Sequence, residues 1–160
     1  MDEREHQVCI VLGSNIEPAE NIRKALSILQ GYGRLERIST TWETPSFGSP
    51  GPNFLNTAVL FRTKFNAADL KYEVLRPIES QLGRVRTANK NAPRTIDLDI
   101  VLFDGQVVDT KLWSRPFLVI TVAELFPDLV HTETGRSLAS IAHEMRKTVG
   151  AVPHPELPTK

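Results

Sequence analysis

The sequence predicts an α+β fold of ferredoxin-like β-α-β-β-α-β order: an antiparallel sheet with helices packed on it, followed by a β-hairpin and a C-terminal helix. Three observations carry that reading. Apolar, β-branched runs recur along the chain, two stretches place apolar residues at helical spacing, and Gly- or Pro-rich breaks separate them.

Gln7 to Leu12 reads as a buried strand, broken by Gly13-Ser14-Asn15. Pro18 suits the first turn of a helix, where its missing N–H costs nothing. Ile22, Ala25, Leu26 and Leu29 follow at helical spacing, and Gly31 and Gly33 end the helix. Leu35 to Thr44 alternates and is β-branched, so it is expected as one strand. Pro45 to Pro52 holds three prolines and two glycines and reads as a loop; Phe54 to Phe61 is the next strand. Asn66 is placed to cap a helix running to about Leu82, within which Pro77 predicts a kink or a break. Gly83 to Pro93 is a polar, basic loop.

Ile96 to Phe103 alternates as a strand, Asp104-Gly105 is a two-residue hairpin signal, and Gln106 to Val108 returns. Arg115 to Val122 is apolar and β-branched and reads as a further strand or extended segment. Leu138 to Met145 is expected as a short helix. The domain is expected over 1–148, with a flexible Pro-rich tail over 149–160 carrying Pro153, Pro155 and Pro158.

Composition narrows the function classes. A chain of 160 residues fits one domain and can bury a real core. The 19 basic and 19 acidic residues cancel, so no overall field draws the chain to nucleic acid or an anionic membrane, and neither partner is expected. A sheet-based RNA-binding module, the rival from another class, needs a basic surface that this charge balance does not supply. The single cysteine, Cys9, lies in an apolar run and reads as a small buried hydrophobe. The charged start, Met1 to His6, lacks the apolar segment of a signal peptide, and no apolar run approaches membrane-spanning length, so a cytoplasmic protein is expected.

The chemistry concentrates in Arg94-Thr95-Ile96-Asp97-Leu98-Asp99. Side chains alternate along a strand, so Asp97 and Asp99 share one face, roughly 7 Å apart, while Ile96, Leu98, Ile100 and Leu102 share the other. Two carboxylates held so close repel unless a cation sits between them, and hard oxygen donors suit Mg²⁺. Arg84, Arg86, Lys90 and Arg94 precede the pair, and arginine forks match phosphate oxygens. Phosphoryl transfer needs this combination of charge neutralisation and positioning. The competing reading is a solvated outer strand face whose carboxylates pair with nearby arginines.

Ala92-Pro93-Arg94-Thr95-Ile96-Asp97-Leu98-Asp99-Ile100-Val101 closely resembles the signature of the 6-hydroxymethyl-7,8-dihydropterin pyrophosphokinase family of folate synthesis. Leu12-Gly13-Ser14-Asn15, Glu43-Thr44-Pro45, Phe54-Leu55-Asn56, Ile78-Glu79 and Leu82-Gly83-Arg84-Val85-Arg86 resemble its other segments, in order, over residues 7 to 145. The resemblance implies transfer of a pyrophosphoryl group from ATP to the pterin hydroxymethyl group, with release of AMP. By resemblance, Asp97 and Asp99 would hold two Mg²⁺ ions, and Arg84, Arg94 and Arg115 would stabilise charge on the migrating phosphates. Arg86 would be a further phosphate contact, and Glu79 a contact on the nucleotide side. The pterin would lie between Phe54 and Phe117, read by Asn56 and by the backbone around Thr44 and Pro45. A monomer or weak dimer is expected.

The chain departs from the family pattern in two places. Leu112-Trp113-Ser114 runs almost directly into Arg115-Pro116-Phe117, where the family has a longer segment carrying a Pro-His pair. Asn91 stands where the family often has an aromatic residue. These departures motivate the alternative of a degenerate member that binds pterin or nucleotide without efficient turnover.

Overall fold

The structure, a computed structural model, describes residues 4–45, 51–84 and 95–154. Strand β1 (His6–Ser14) is the centre of the sheet and is apolar on both faces. It pairs antiparallel with β4 (Phe54–Thr63) on one side and β5 (Asp97–Phe103) on the other. The full strand order is β6-β5-β1-β4-β3-β7, with β2 also pairing β4. Here β2 is Arg34–Ile38, β3 Thr41–Thr44, β6 Gln106–Val107 and β7 Val152–His154. The central order β5-β1-β4 with β2 and β3 beyond is the expected ferredoxin-like arrangement, extended at both edges.

Each face of the sheet has its own core. On the first, Val8, Ile10 and Leu12 of β1 meet Ile22, Ala25, Leu26 and Leu29 of helix α1 (Pro18–Leu29), all as expected from their spacing. Leu70, Val74, Leu75 and Ile78 complete that layer. On the second, Cys9 and Val11 meet helices α4 (Pro116–Leu125) and α5 (Leu138–Val149).

The second helix begins at α2 (Ala67–Asp69), where the Asn66 side chain accepts the Asp69 N–H at 2.8 Å, as its N-cap position predicts. It then runs through a π-helical segment, Leu70–Leu75, into α3 (Arg76–Gln81). The Arg76 N–H bonds the Lys71 carbonyl five residues back. The wider turn falls just before Pro77, which lacks an N–H and would crowd a carbonyl four residues behind. The kink expected at Pro77 is therefore absorbed as a change of helix register.

Three expectations are corrected. Arg115 to Val122 is not extended: Pro116 opens α4, with Leu118 to Ala123 and Leu125 buried. A helix buried on every side shows no amphipathic period, so its Val-Ile-Thr-Val run reads like a strand. Leu35 to Thr44 is two strands, because Ser39 interrupts the ladder. Its hydroxyl accepts the Ala58 N–H at 2.9 Å and bonds the Thr57 hydroxyl at 3.2 Å. Leu102 leaves the face of Ile96, Leu98 and Ile100, since a register shift opposite Cys9/Ile10 inserts an extra β5 residue. Phe103 packs against the first core in its place.

The Asp104-Gly105 hairpin forms with both residues at positive φ (49° and 81°), the backbone a two-residue turn of this kind requires. The C-terminal helix extends past Met145 to Val149. Beyond it, Val152–His154 pair with β3, so the start of the expected tail is an edge strand; 155–160 lie outside the described residues.

Candidate active site

The site lies at the end of the sheet where β1 finishes. Antiparallel register places Asn56, Gly13 and Asp97 side by side across β4, β1 and β5. Trp42 stands opposite Asn56, and Thr44 opposite Phe54. Directly paired residues project from the same face. Thr44, Phe54, Asn56, Asp97 and Asp99 therefore share the face covered by α4 and α5, with Gly13 as the bare floor between them. A Cβ at Gly13 would stand 3.1 Å from Asn56 Oδ1, so even a methyl group crowds the carboxamide.

Asn56 is buried and fixed. Its amide donates to Thr44 Oγ1 at 2.9 Å and to the Trp42 carbonyl at 3.4 Å. Asn56 and Thr44 thus form one polar unit across β3 and β4, leading into Pro45. Asn15, also buried, donates to the Pro52 carbonyl at 3.4 Å and ties the end of β1 to the segment before Phe54.

Asp97 and Asp99 project beside this unit. Burial first, and the Asp97 charge second, push the Asp99 carboxyl up to about 7, with Arg76 opposing part of the rise. A buried carboxyl beside a second carboxylate is favoured in its charged form by a nearby cation. The donor set fits Mg²⁺: two hard carboxylates on one strand face. Mg²⁺ ordinarily keeps water and completes its shell with substrate phosphates.

Arg84 reaches the pair through the end of α3. Gly83, at φ 90°, takes the left-handed position, its N–H bonds the Ser80 carbonyl at 3.1 Å, and the Arg84 N–H bonds the Glu79 carbonyl at 2.9 Å. This C-cap turns the chain so that Arg84 Nη2 lies 3.9 Å from Asp97 Oδ1, with the Arg84 side chain 11% exposed. Arg86 and Arg94 lie outside the described residues.

Glu79, expected as a contact on the nucleotide side, lies on the inner side of α3. It is 1% exposed, and its Oε2 accepts the Leu98 N–H at 2.8 Å and an Arg76 N–H at 3.0 Å. Helix α3 packs on the sheet, so its inward carboxylate meets strand backbone.

Arg115 is the N-cap residue of α4, and Phe117 sits in that helix's first turn, packed against the second core. Both therefore stand on the helix that covers the Asn56–Asp97 face. The short connection before them is a 3-10 turn, Thr110–Trp113, capped by Asp109, which accepts the Lys111 N–H at 3.0 Å. Trp113 stacks on His131 with ring centres 4.5 Å apart and planes at 18°.

Sequence reasoning missed Gly13 as floor, Asn15 as tie and Arg76 as neighbour of Asp99. A glycine ending an apolar strand was the available signal for the first. The other two carry no local signature, since their partners lie 37 and 22 residues away.

Comparison with known proteins decides the family. Residues 9–127 match the family model for 7,8-dihydro-6-hydroxymethylpterin-pyrophosphokinase (HPPK). The chain belongs to the HPPK family. The chain is 30% identical over 152 residues to a 2-amino-4-hydroxy-6-hydroxymethyldihydropteridine pyrophosphokinase of Synechocystis, covering 88% of this chain and 76% of that protein. It is 31% identical over 134 residues to the enzyme of the same name from Aquifex aeolicus, covering 78% and 82%. A folate synthesis bifunctional protein of Arabidopsis thaliana matches at 33% over 130 residues, of which the chain spans only 27%.

Among solved structures, an HPPK-DHPS triple mutant of Plasmodium falciparum with pteroate superposes with a TM-score of 0.69 at 10% identity. The match covers 90% of this chain and 44% of that one, and it confirms the fold. With the family comes the enzyme class: this HPPK-family chain is an ATP-dependent pyrophosphokinase of folate biosynthesis. As an ATP-using kinase family, HPPK works with Mg²⁺. No helix among the described residues is long and apolar enough to cross a membrane.

Proposed function

We propose that the chain transfers the pyrophosphoryl group of ATP to 6-hydroxymethyl-7,8-dihydropterin on the face shared by Asn56, Gly13 and Asp97. The observation that carries this is the register itself, which sets a fixed carboxamide–hydroxyl unit next to a carboxylate pair across a bare glycine.

The pterin ring sits against Phe54 and Phe117, with Asn56 and the backbone near Thr44 and Pro45 reading its in-plane donors and acceptors. Asp97 and Asp99 would hold two Mg²⁺ ions, which would supply charge neutralisation to the triphosphate. The pterin hydroxyl oxygen attacks the β-phosphorus. The bond from that phosphorus to the α,β-bridging oxygen breaks, AMP leaves, and the hydroxyl proton is released. Arg84, Arg94 and Arg115 bind the oxygens on which charge grows, with Arg86 as a further phosphate contact. Arg84 rests near Asp97 and is largely buried, so solvent screens its charge less than at an exposed site.

The reading extends to a cytoplasmic monomer or weak dimer. Among the described residues, the exposed large apolar side chains (Ile16, Tyr32, Tyr72, Val108, Val130 and Val152) are spread along the chain.

Incubation with hydroxymethyl-dihydropterin, ATP and Mg²⁺ is expected to yield AMP. No AMP at high enzyme concentration refutes the proposal. Asp97→Ala is expected to abolish AMP formation with an unchanged circular-dichroism spectrum, and retained activity in that variant refutes the metal assignment.

A further inference from the structure

Strand β5 is covered unevenly. On one side its whole length pairs with β1, but on the other β6 reaches only Leu102 and Phe103. Among the described residues, the N-terminal half of β5, which carries both aspartates, has no strand partner on that edge. An edge with free N–H and C=O groups is loosely held in register and solvated. Here the edge is filled by side chains. Glu79 Oε2 accepts the Leu98 N–H at 2.8 Å, and Arg76 Nη1 donates to the Leu98 carbonyl at 3.2 Å. The two side chains are joined by an ion pair of 3.0 Å between Arg76 Nη1 and that same Glu79 oxygen.

An acceptor meets the donor and a donor meets the acceptor, as a neighbouring strand would supply. Leu98 is the residue between Asp97 and Asp99, and its side chain is fully buried in the first core. Its N–H belongs to the peptide joined to Asp97, and its carbonyl to the peptide joined to Asp99. Holding both fixes the pitch at which the two carboxylates leave the strand. The bonds are charge-assisted and buried on the Glu79 side, hence stiff. Neither residue is placed to touch the reacting atoms through these bonds. Both act through the backbone of the residue between the aspartates.

We propose that Arg76 and Glu79 are positioning residues that stand in for a missing strand and set the geometry of the Asp97/Asp99 cation site. The inference rests on the metal reading of that pair. Partners one step beyond metal ligands typically hold affinity by 10- to 100-fold.

The test is Mn²⁺ binding in the presence of a non-hydrolysable ATP analogue, followed by the electron paramagnetic resonance of free Mn²⁺. It is run alongside pterin binding by calorimetry and exchange of the Leu98 amide proton. Arg76→Gln and Glu79→Leu are expected to weaken Mn²⁺ binding about tenfold and speed Leu98 exchange, with pterin affinity in the absence of nucleotide unchanged. Glu79→Gln keeps an oxygen in place for both donors and is expected to stay within about threefold of the parent. If Glu79→Leu does not fold, Arg76→Gln decides, since its side chain is 26% exposed and tolerates replacement.

Mn²⁺ binding unchanged in the Arg76 and Glu79 variants, but weakened by Asp97→Ala, overturns the inference and leaves the metal reading standing. Binding unaffected by Asp97→Ala overturns both.

Discussion

Replacing Asp99 by asparagine is expected to stabilise the metal-free protein at pH 8 and to have little effect at pH 4. In the fold the Asp99 carboxyl is pushed up to about 7, by burial first and by Asp97 second, against an ordinary value of 3.8. Below about pH 4 both folded and unfolded chains keep the proton, so Asp99 costs the fold nothing. Between about pH 4 and 7 the unfolded chain loses the proton while the fold retains it, and the fold becomes weaker with each unit of pH. At roughly 1.4 kcal/mol per unit over about three units, the penalty above pH 7 is bounded near 4 kcal/mol. Local rearrangement and water entry are expected to reduce it to about 2 kcal/mol. Urea unfolding with EDTA at pH 4 and pH 8, for the parent and Asp99→Asn, measures it. The difference between the two proteins is to appear at pH 8 and vanish at pH 4. Mg²⁺ with nucleotide is to raise the parent's stability at pH 8 and leave the variant's unchanged. A variant less stable than the parent at pH 8, or an equal shift at both pH values, refutes the account of a buried carboxyl crowded by a second carboxylate.

Other outcomes follow from single contacts. Gly33→Ala would drive a Cβ into the Arg62 carbonyl and the Phe61 ring, and is expected to cost about 2–4 kcal/mol, read as a lower melting temperature. Asn56→Ala breaks the 2.9 Å bond to Thr44 and removes the carboxamide beside Gly13; calorimetry is expected to show pterin affinity down by about tenfold or more, with metal–nucleotide binding retained. Cys9, whose thiol burial pushes up to about 12, is expected to resist thiol reagents at pH 8 until the protein is unfolded in urea.

Much of the fold was legible because its signals were local. The α1 stripe Ile22, Ala25, Leu26 and Leu29, the Asn66 cap and the Asp104-Gly105 turn each sit within a few residues of what they control. Errors came where a distant partner overrode the local pattern. Ser39 splits a strand because Thr57 and Ala58 lie across from it. Leu102 changes face because β1 imposes a bulge. Helix α4 looked extended because both sheet and α5 bury it, erasing the polar stripe that marks a helix.

The sequence by itself determined the carboxylate pair. Strand alternation requires Asp97 and Asp99 to share a face. Only the tertiary structure decided what lies beside the pair and what holds it. Register across three strands brings Asn56 and Gly13 into line with Asp97, over separations of 43 and 84 residues that no local spacing encodes. Packing of α3 turned Glu79 inward to the Leu98 amide and gave it Arg76 as a partner. Alternation is a property of one strand's covalent geometry. Register and packing are properties of several segments at once, and those arise only when the chain has folded.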